Sequence, residues 1–174
     1  MRYDVVLFDL DGTLTASAPG IFDSVCHTME QLGRPVPDDE TLQKFVGPSM
    51  YDSLQNFCGL NPQEAETALA MYRAHYNEGN VLNASVFVGI PNLLRQLKAE
   101  GVYLAIATSK PTPGARQVLA HLGLARFFDQ IIGADAGTRD TSKTTLLRPA
   151  VPTRYERASM GGDRRLHLGS ARAE

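Results

Sequence analysis

Val5-Val6-Leu7-Phe8 runs without interruption into an acid, Asp9, and that junction limits what this chain can fold into. Four consecutive β-favouring apolar residues, with no polar alternation, read as a strand buried on both faces. Strands of that kind belong to parallel sheets covered by helices, and their partners arrive later in the chain through crossover segments. Ligands of such sheets bind beyond the carboxyl ends of the strands. An acid at that end is therefore a candidate site residue.

The remaining sequence supplies the crossovers and the partner strands. Ser17 can cap a helix, Pro19 suits its first turn, and Ile21, Val25, Met29 and Leu32 recur at helical spacing before Gly33. Three more helices are expected over residues 38–46, 49–57 and 61–76, punctuated by Gly47-Pro48, Gly59 and Gly79. Residues 15–85 thus read as all-helical. Alternation then begins: a helix over 91–100 closed by Gly101, a strand over 103–107 ending at Thr108-Ser109-Lys110, a helix over 113–122, a strand over 130–133 and a helix over 144–151. The order β-α-β-α predicts the α/β class with an open parallel sheet. In that arrangement Asp9, Thr108 and Ser109 fall at the same end of neighbouring strands.

Composition narrows the classes of function. A chain of 174 residues that is 43% hydrophobic can bury a core, with room for a small insertion. Its net charge of −2 and the lack of a basic run argue against nucleic acid, leaving a small ligand. Four apolar residues before Asp9 are too few for a secretion signal or a membrane span, so a cytoplasmic location and no membrane partner are expected. Cys26 and Cys58 form no paired-cysteine motif, and His27, His75, His121 and His167 share no metal-ligand spacing. No feature fixes an oligomeric state.

The chemistry concentrates in Asp9-Leu10-Asp11-Gly12-Thr13-Leu14. Carboxylates at i and i+2 of extended chain point to one side. Held close they repel, and a hard divalent cation such as Mg²⁺ would offset that repulsion. Gly12 lets the backbone leave the strand sharply. A solvated acidic turn would also satisfy Asp-x-Asp-Gly alone, but five fixed positions recur by chance in about one of 20,000 chains of this length.

Asp-x-Asp-Gly-Thr-Leu after an apolar strand resembles the first motif of the haloacid dehalogenase-like superfamily. The resemblance implies a Rossmann-like catalytic core, residues 1–14 and 86–174, with an inserted helical cap, residues 15–85, as in phosphoglycolate phosphatase-like members. It implies that Asp9 is the nucleophile forming an aspartyl phosphate, and that Asp11 is the general acid/base whose carbonyl also reaches Mg²⁺. Gly12 and Thr13 would line the substrate. Thr108 matches the hydroxyl residue of the second motif, with Ser109 contributing its backbone N–H. Lys143, at the start of a later helix, fits the third-motif cation, with Lys110 as the competing choice. Lys44 and Gly47, in Lys44-Phe45-Val46-Gly47-Pro48-Ser49, match a cap loop facing the substrate, although Gly47-Pro48 also reads as a plain interhelical turn.

The fourth motif, an apolar strand running into Gly-Asp and a second acid four residues on, is matched in part by Gly161-Gly162-Asp163. Asp163 would supply a further metal carboxylate. His167 stands where the second acid belongs, and imidazole cannot replace that charge. Residues 151–174 hold five Arg against three acids, and the C-terminal end resembles a degenerate or truncated version of the family pattern. The expected activity is Mg²⁺-dependent hydrolysis of a small phosphorylated metabolite, phosphoglycolate-like or nucleoside monophosphate-like. Phosphomutases carry the same motifs, and a family remnant that binds phosphate or nothing is the alternative that His167 favours.

Overall fold

The computed structural model describes residues 3–134 and the backbone of Leu166–Gly169. In chain order the elements are β1 (Val5–Phe8), β2 (Thr15–Ala16), α1 (Ala18–Gln31), α2 (Asp39–Gln43), α3 (Met50–Cys58), α4 (Pro62–Asn77), β3 (Ser85–Val86), α5 (Ile90–Ala99), β4 (Tyr103–Pro111), α6 (Thr112–His121), β5 (Gln130–Ala134) and β6 (Leu166–Gly169). Two compact units divide the chain: Met1–Thr15 with Val86–Glu174, and Ala16–Ser85. A two-stranded sheet pairs β2 with β3.

The first unit is built on a parallel sheet in the order β5-β4-β1-β6. The uninterrupted apolar run takes an interior place, because only a strand flanked and covered on both faces can hide every side chain. All four residues of β1 are buried, and Val5 and Leu7 share a core cluster with Ala105 and Ala107, against which Tyr103 and Ile132 pack. Helices α5 and α6 pack against β4 through amphipathic faces, burying Leu94 and Leu97 on one and Ala115, Val118 and Leu119 on the other. Asp129 ties this side of the sheet together. Its carboxylate accepts the Leu104 N–H at 2.8 Å and meets Lys98 Nζ at 2.8 Å from each oxygen.

The second unit is helical apart from its strand ends. Helix α1 buries Ile21, Val25 and Met29 and packs against α4 and the 3₁₀ turn Asn80–Leu82. Its Gly20 abuts that turn so closely that an added Cβ would lie 2.1 Å from the Asn80 carbonyl oxygen. Asn61 and Glu64 start α4 with reciprocal side-chain to backbone bonds, a capping box that satisfies donors the helix cannot. His27 stacks on His75, ring centroids 3.9 Å apart. Cys26 and Cys58 are free thiols. Among the described residues no helix is long and apolar enough to cross a membrane.

The stretch 15–85, expected to be all-helical, carries the short strands β2 and β3 at its two ends, where the chain pairs with itself, and three further elements depart from the sequence expectation. The helix expected over 38–46 ends at Gln43, and Phe45, 1% exposed, leaves it to pack edge-on against Phe57 at 5.4 Å between centroids. Strand β4 continues past residue 107 to Pro111, through a break in its register with β5. The strand beside β1 is formed by Leu166–Gly169, after Gly161-Gly162-Asp163 instead of before it. Leu166 pairs with Val5, at the end of β1 remote from Asp9, and His167 is a strand residue opposite Val6. The helix expected over 144–151 lies outside the described residues.

Candidate active site

Strand β1 delivers Asp9 to the carboxyl end of the sheet, where it is 9% exposed. Asp9 Oδ1 accepts the Leu10 N–H at 2.8 Å. Leu10, between the two acids, is fully buried. The loop that follows closes on one atom. The Leu10 carbonyl oxygen accepts the N–H groups of Thr13, Leu14 and Thr15 at 3.3, 3.0 and 3.1 Å and the Thr15 hydroxyl at 3.2 Å. Gly12 donates its N–H to the Thr15 carbonyl at 2.9 Å with φ at 77°, a left-handed conformation that disfavours any side chain. Leu10 was not a sequence candidate, since its role belongs to a main-chain oxygen that no side-chain identity announces.

The second strand brings a hydroxyl and a cation to the same place. Thr108 is 1% exposed, and its Oγ1 accepts the Lys110 N–H at 3.2 Å, a bond that leaves the hydroxyl's own hydrogen for another acceptor. Lys110 Nζ lies 3.2 Å from Asp11 Oδ2, with the two side chains 6% and 10% exposed. An ion pair this buried is desolvated and needs fixed geometry to persist. The other oxygen of Asp11, Oδ1, is buried with no hydrogen-bond partner among the described residues.

That orphaned oxygen, on the second residue after Asp9, is the kind of donor a hard cation takes, and Mg²⁺ needs few protein oxygens because it keeps several waters. Asp9 and Asp11 fit such an ion as part of its shell. Among the described residues no three His, Cys, Asp or Glu side chains gather as a complete metal-ligand set.

The structure therefore brings Asp9, Asp11, Gly12, Thr13, Thr108 and Ser109 to one end of β1 and β4, and adds Lys110 to them. Lys44 and Gly47 belong to the helical unit, where Lys44 Nζ is 3.4 Å from Glu40 Oε1 and Gly47 adopts φ 102° in the turn after α2. Lys143 and Asp163 lie outside the described residues, as does the side chain of His167.

Comparison with known proteins places this geometry in a family. A family model described as haloacid dehalogenase-like hydrolase matches residues 6–163. The chain is 41% identical over 172 residues to the tyrosine-protein kinase PtkA of Mycobacterium tuberculosis, covering 97% of this chain and 58% of that protein. It is 36% identical to a 5'-nucleotidase of Pseudomonas aeruginosa, over 99% of this chain and 80% of the relative. A phosphoglycolate phosphatase of Cupriavidus necator is 31% identical over 97% of this chain and 76% of its own length. Among solved structures, a predicted phosphatase from Clostridium acetobutylicum superposes with a TM-score of 0.81 at 35% identity, covering 95% of this chain and 76% of that one.

Proposed function

We propose a phosphomonoester hydrolase, and the premise is membership: the chain belongs to the haloacid dehalogenase-like hydrolase family. The observation that carries the proposal is the buried Lys110–Asp11 pair beside Asp9 at the carboxyl end of two adjacent parallel strands. A nucleophile, a proton carrier and a cation in one water-poor site are what phosphoryl transfer to a carboxylate requires.

In this reading the Asp9 carboxylate attacks phosphorus as the ester P–O bond breaks, and Asp11 gives its proton to the departing alkoxide. Water then attacks the aspartyl phosphate, Asp11 takes a proton from it, and Asp9 and inorganic phosphate are released. Thr108 donates its hydroxyl hydrogen to a phosphoryl oxygen, and the Gly12–Thr13 turn lies against the phosphoryl group. Lys110 offsets negative charge as it accumulates. Lys143 remains the family-pattern candidate for the same role. Mg²⁺, held by Asp9 and the Asp11 carbonyl with Asp163 as a further carboxylate, would supply Lewis-acid stabilisation of the transferred group.

The substrate class that the named relatives support is a small phosphomonoester, phosphoglycolate-like or nucleoside monophosphate-like. Residues 16–85 would act as the cap that selects it, with Lys44 and Gly47 as its candidate contacts. The identity to a protein named as a tyrosine kinase favours a second reading, in which the phosphoryl group passes to an acceptor other than water.

The test is release of phosphate from p-nitrophenyl phosphate with Mg²⁺ and with EDTA, comparing the chain with Asp9→Asn. Release that needs both Mg²⁺ and Asp9 supports hydrolysis, and equal release by Asp9→Asn overturns it. Radiolabel that moves from a nucleoside triphosphate to tyrosine, with no hydrolysis of monoesters, would favour the second reading.

A further inference from the structure

We propose that Gly133 and Thr112 are positioning residues for Lys110: they clamp the irregular end of β4 in the conformation that carries the ammonium to Asp11. The inference rests on the proposed phosphatase reading for its consequence in turnover, and on the geometry of β4 and β5 for the clamp itself.

The two strands run in step from Ala105↔Gln130 to Thr108↔Gly133, and the next pair is Pro111↔Ala134. One step along β5 thus matches three along β4, and Ser109 and Lys110 fall between the two paired positions. Extra residues in one strand bend it and re-aim its side chains. Here the bend carries Lys110 to the loop after β1, where its Nζ reaches Asp11 Oδ2 at 3.2 Å.

Two threonine hydroxyls accept main-chain N–H groups at this bulge. Thr108 Oγ1 accepts the Lys110 N–H at 3.2 Å, and Thr112 Oγ1 accepts the Gly133 N–H at 3.0 Å. Thr112 is the first residue of α6, so the second bond ties β5 to the helix that leaves the bulge.

Gly133 is needed for space and not for backbone conformation. A Cβ there would lie 2.2 Å from the Lys110 carbonyl oxygen, 2.7 Å from Thr112 N and 2.9 Å from Thr112 Cα. All three are main-chain atoms, which cannot turn aside as a side chain can. Any substitution must therefore push the bulge away from β5. The backbone of Lys110 moves with it, and its buried ammonium moves relative to Asp11.

The decisive experiment is a double-mutant cycle on Thr112 and Lys110, since Thr112→Val removes the acceptor yet keeps the branched shape. With p-nitrophenyl phosphate, Thr112→Val is expected to lower kcat about tenfold with KM changed less than about twofold. Thr112→Ser is expected to recover most of that loss. In a Lys110→Met background, Thr112→Val is expected to have no further effect. Gly133→Ala is expected to lose more than Thr112→Val, and Thr112→Val decides the matter if Gly133→Ala does not fold. Unchanged kcat in Thr112→Val, or its full loss repeated in the Lys110→Met background, overturns the proposal.

A second readout does not need turnover. Brief acylation of the folded chain with acetic anhydride, read by mass spectrometry, is expected to modify Lys110 at least about threefold faster in Thr112→Val than in the parent, with Lys44 as the exposed reference. An equal rate overturns the clamp. If the parental chain hydrolyses no phosphate ester, the phosphatase reading fails while this measurement still judges the clamp.

Discussion

Lys110 Nζ and Asp11 Oδ2 form an ion pair at 3.2 Å between the irregular end of β4 and the loop after β1. The pair joins residues 99 positions apart in a region where each side chain is at most 10% exposed. Burial of this degree makes Lys110 a group whose loss nothing in the solvent can replace.

Lys110→Met should therefore lower kcat for a phosphomonoester by about a hundredfold or more, the scale on which removing one charge-stabilising donor acts. Steady-state kinetics of the folded variant measure it. A variant that retains parental kcat would assign the charge-stabilising role to another cation, with Lys143 the first to examine.

Gly20→Ala should destabilise the helical unit, although the same change in an open helix stabilises by up to about 1 kcal/mol. The new methyl would meet the Asn80 carbonyl oxygen at 2.1 Å, a main-chain atom that cannot turn aside, and overpacking of that kind costs about 1–3 kcal/mol. Urea titration followed by circular dichroism gives the sign.

Asp129→Ala should destabilise by about 1–3 kcal/mol, because it strips an acceptor from the Leu104 N–H as well as from Lys98. Lys98→Met removes only the ion pair, whose partners are each 33% exposed, and should cost less than about 1 kcal/mol. Thermal unfolding of the two variants side by side tests the ranking.

Glu64 gives a pH prediction whose sign is fixed by its partners. The Asn61 N–H, and after it the Arg34 guanidinium, hold the Glu64 carboxyl below its usual range. A carboxyl with a depressed folded-state value contributes stability above the unfolded value and loses it as the pH falls through the folded one. The stability gap between the parent and Glu64→Gln should close with acidification through and below the ordinary Glu range. Denaturant midpoints measured across that range would show a constant gap if the capping box does not depend on the charge.

How far the sequence displays this fold depends on the residue pattern at each place. Val5–Phe8 has no polar position, and Ile21, Val25 and Met29 keep helical spacing, so β1 and α1 follow from hydrophobic period alone. The α/β class follows from the order of such segments. Helix α2 is shorter than its pattern because Phe45 gains more from Phe57 than from a further turn, and tertiary contact is invisible to local propensity. Leu166-His167-Leu168-Gly169 offers only two alternating leucines, too little to mark β6. At the site, Asp9 and Thr108 end apolar runs and Asp11 stands two residues after Asp9, and all three are legible for that reason. Lys110 could be read only as one of two lysines, because its direction is set by a bulge that depends on the bare Cα of Gly133 some twenty residues later.

The register of β1 also bears on how the chain is made. Val5 pairs with Tyr103 on one side and with Leu166 on the other, so its first partner emerges about a hundred residues after it. Every contact inside Ala16–Ser85 becomes available sooner, and the helices can assemble while the strand that carries Asp9 is still unpaired. During synthesis this apolar strand thus waits longer for its neighbours than the helices that follow it.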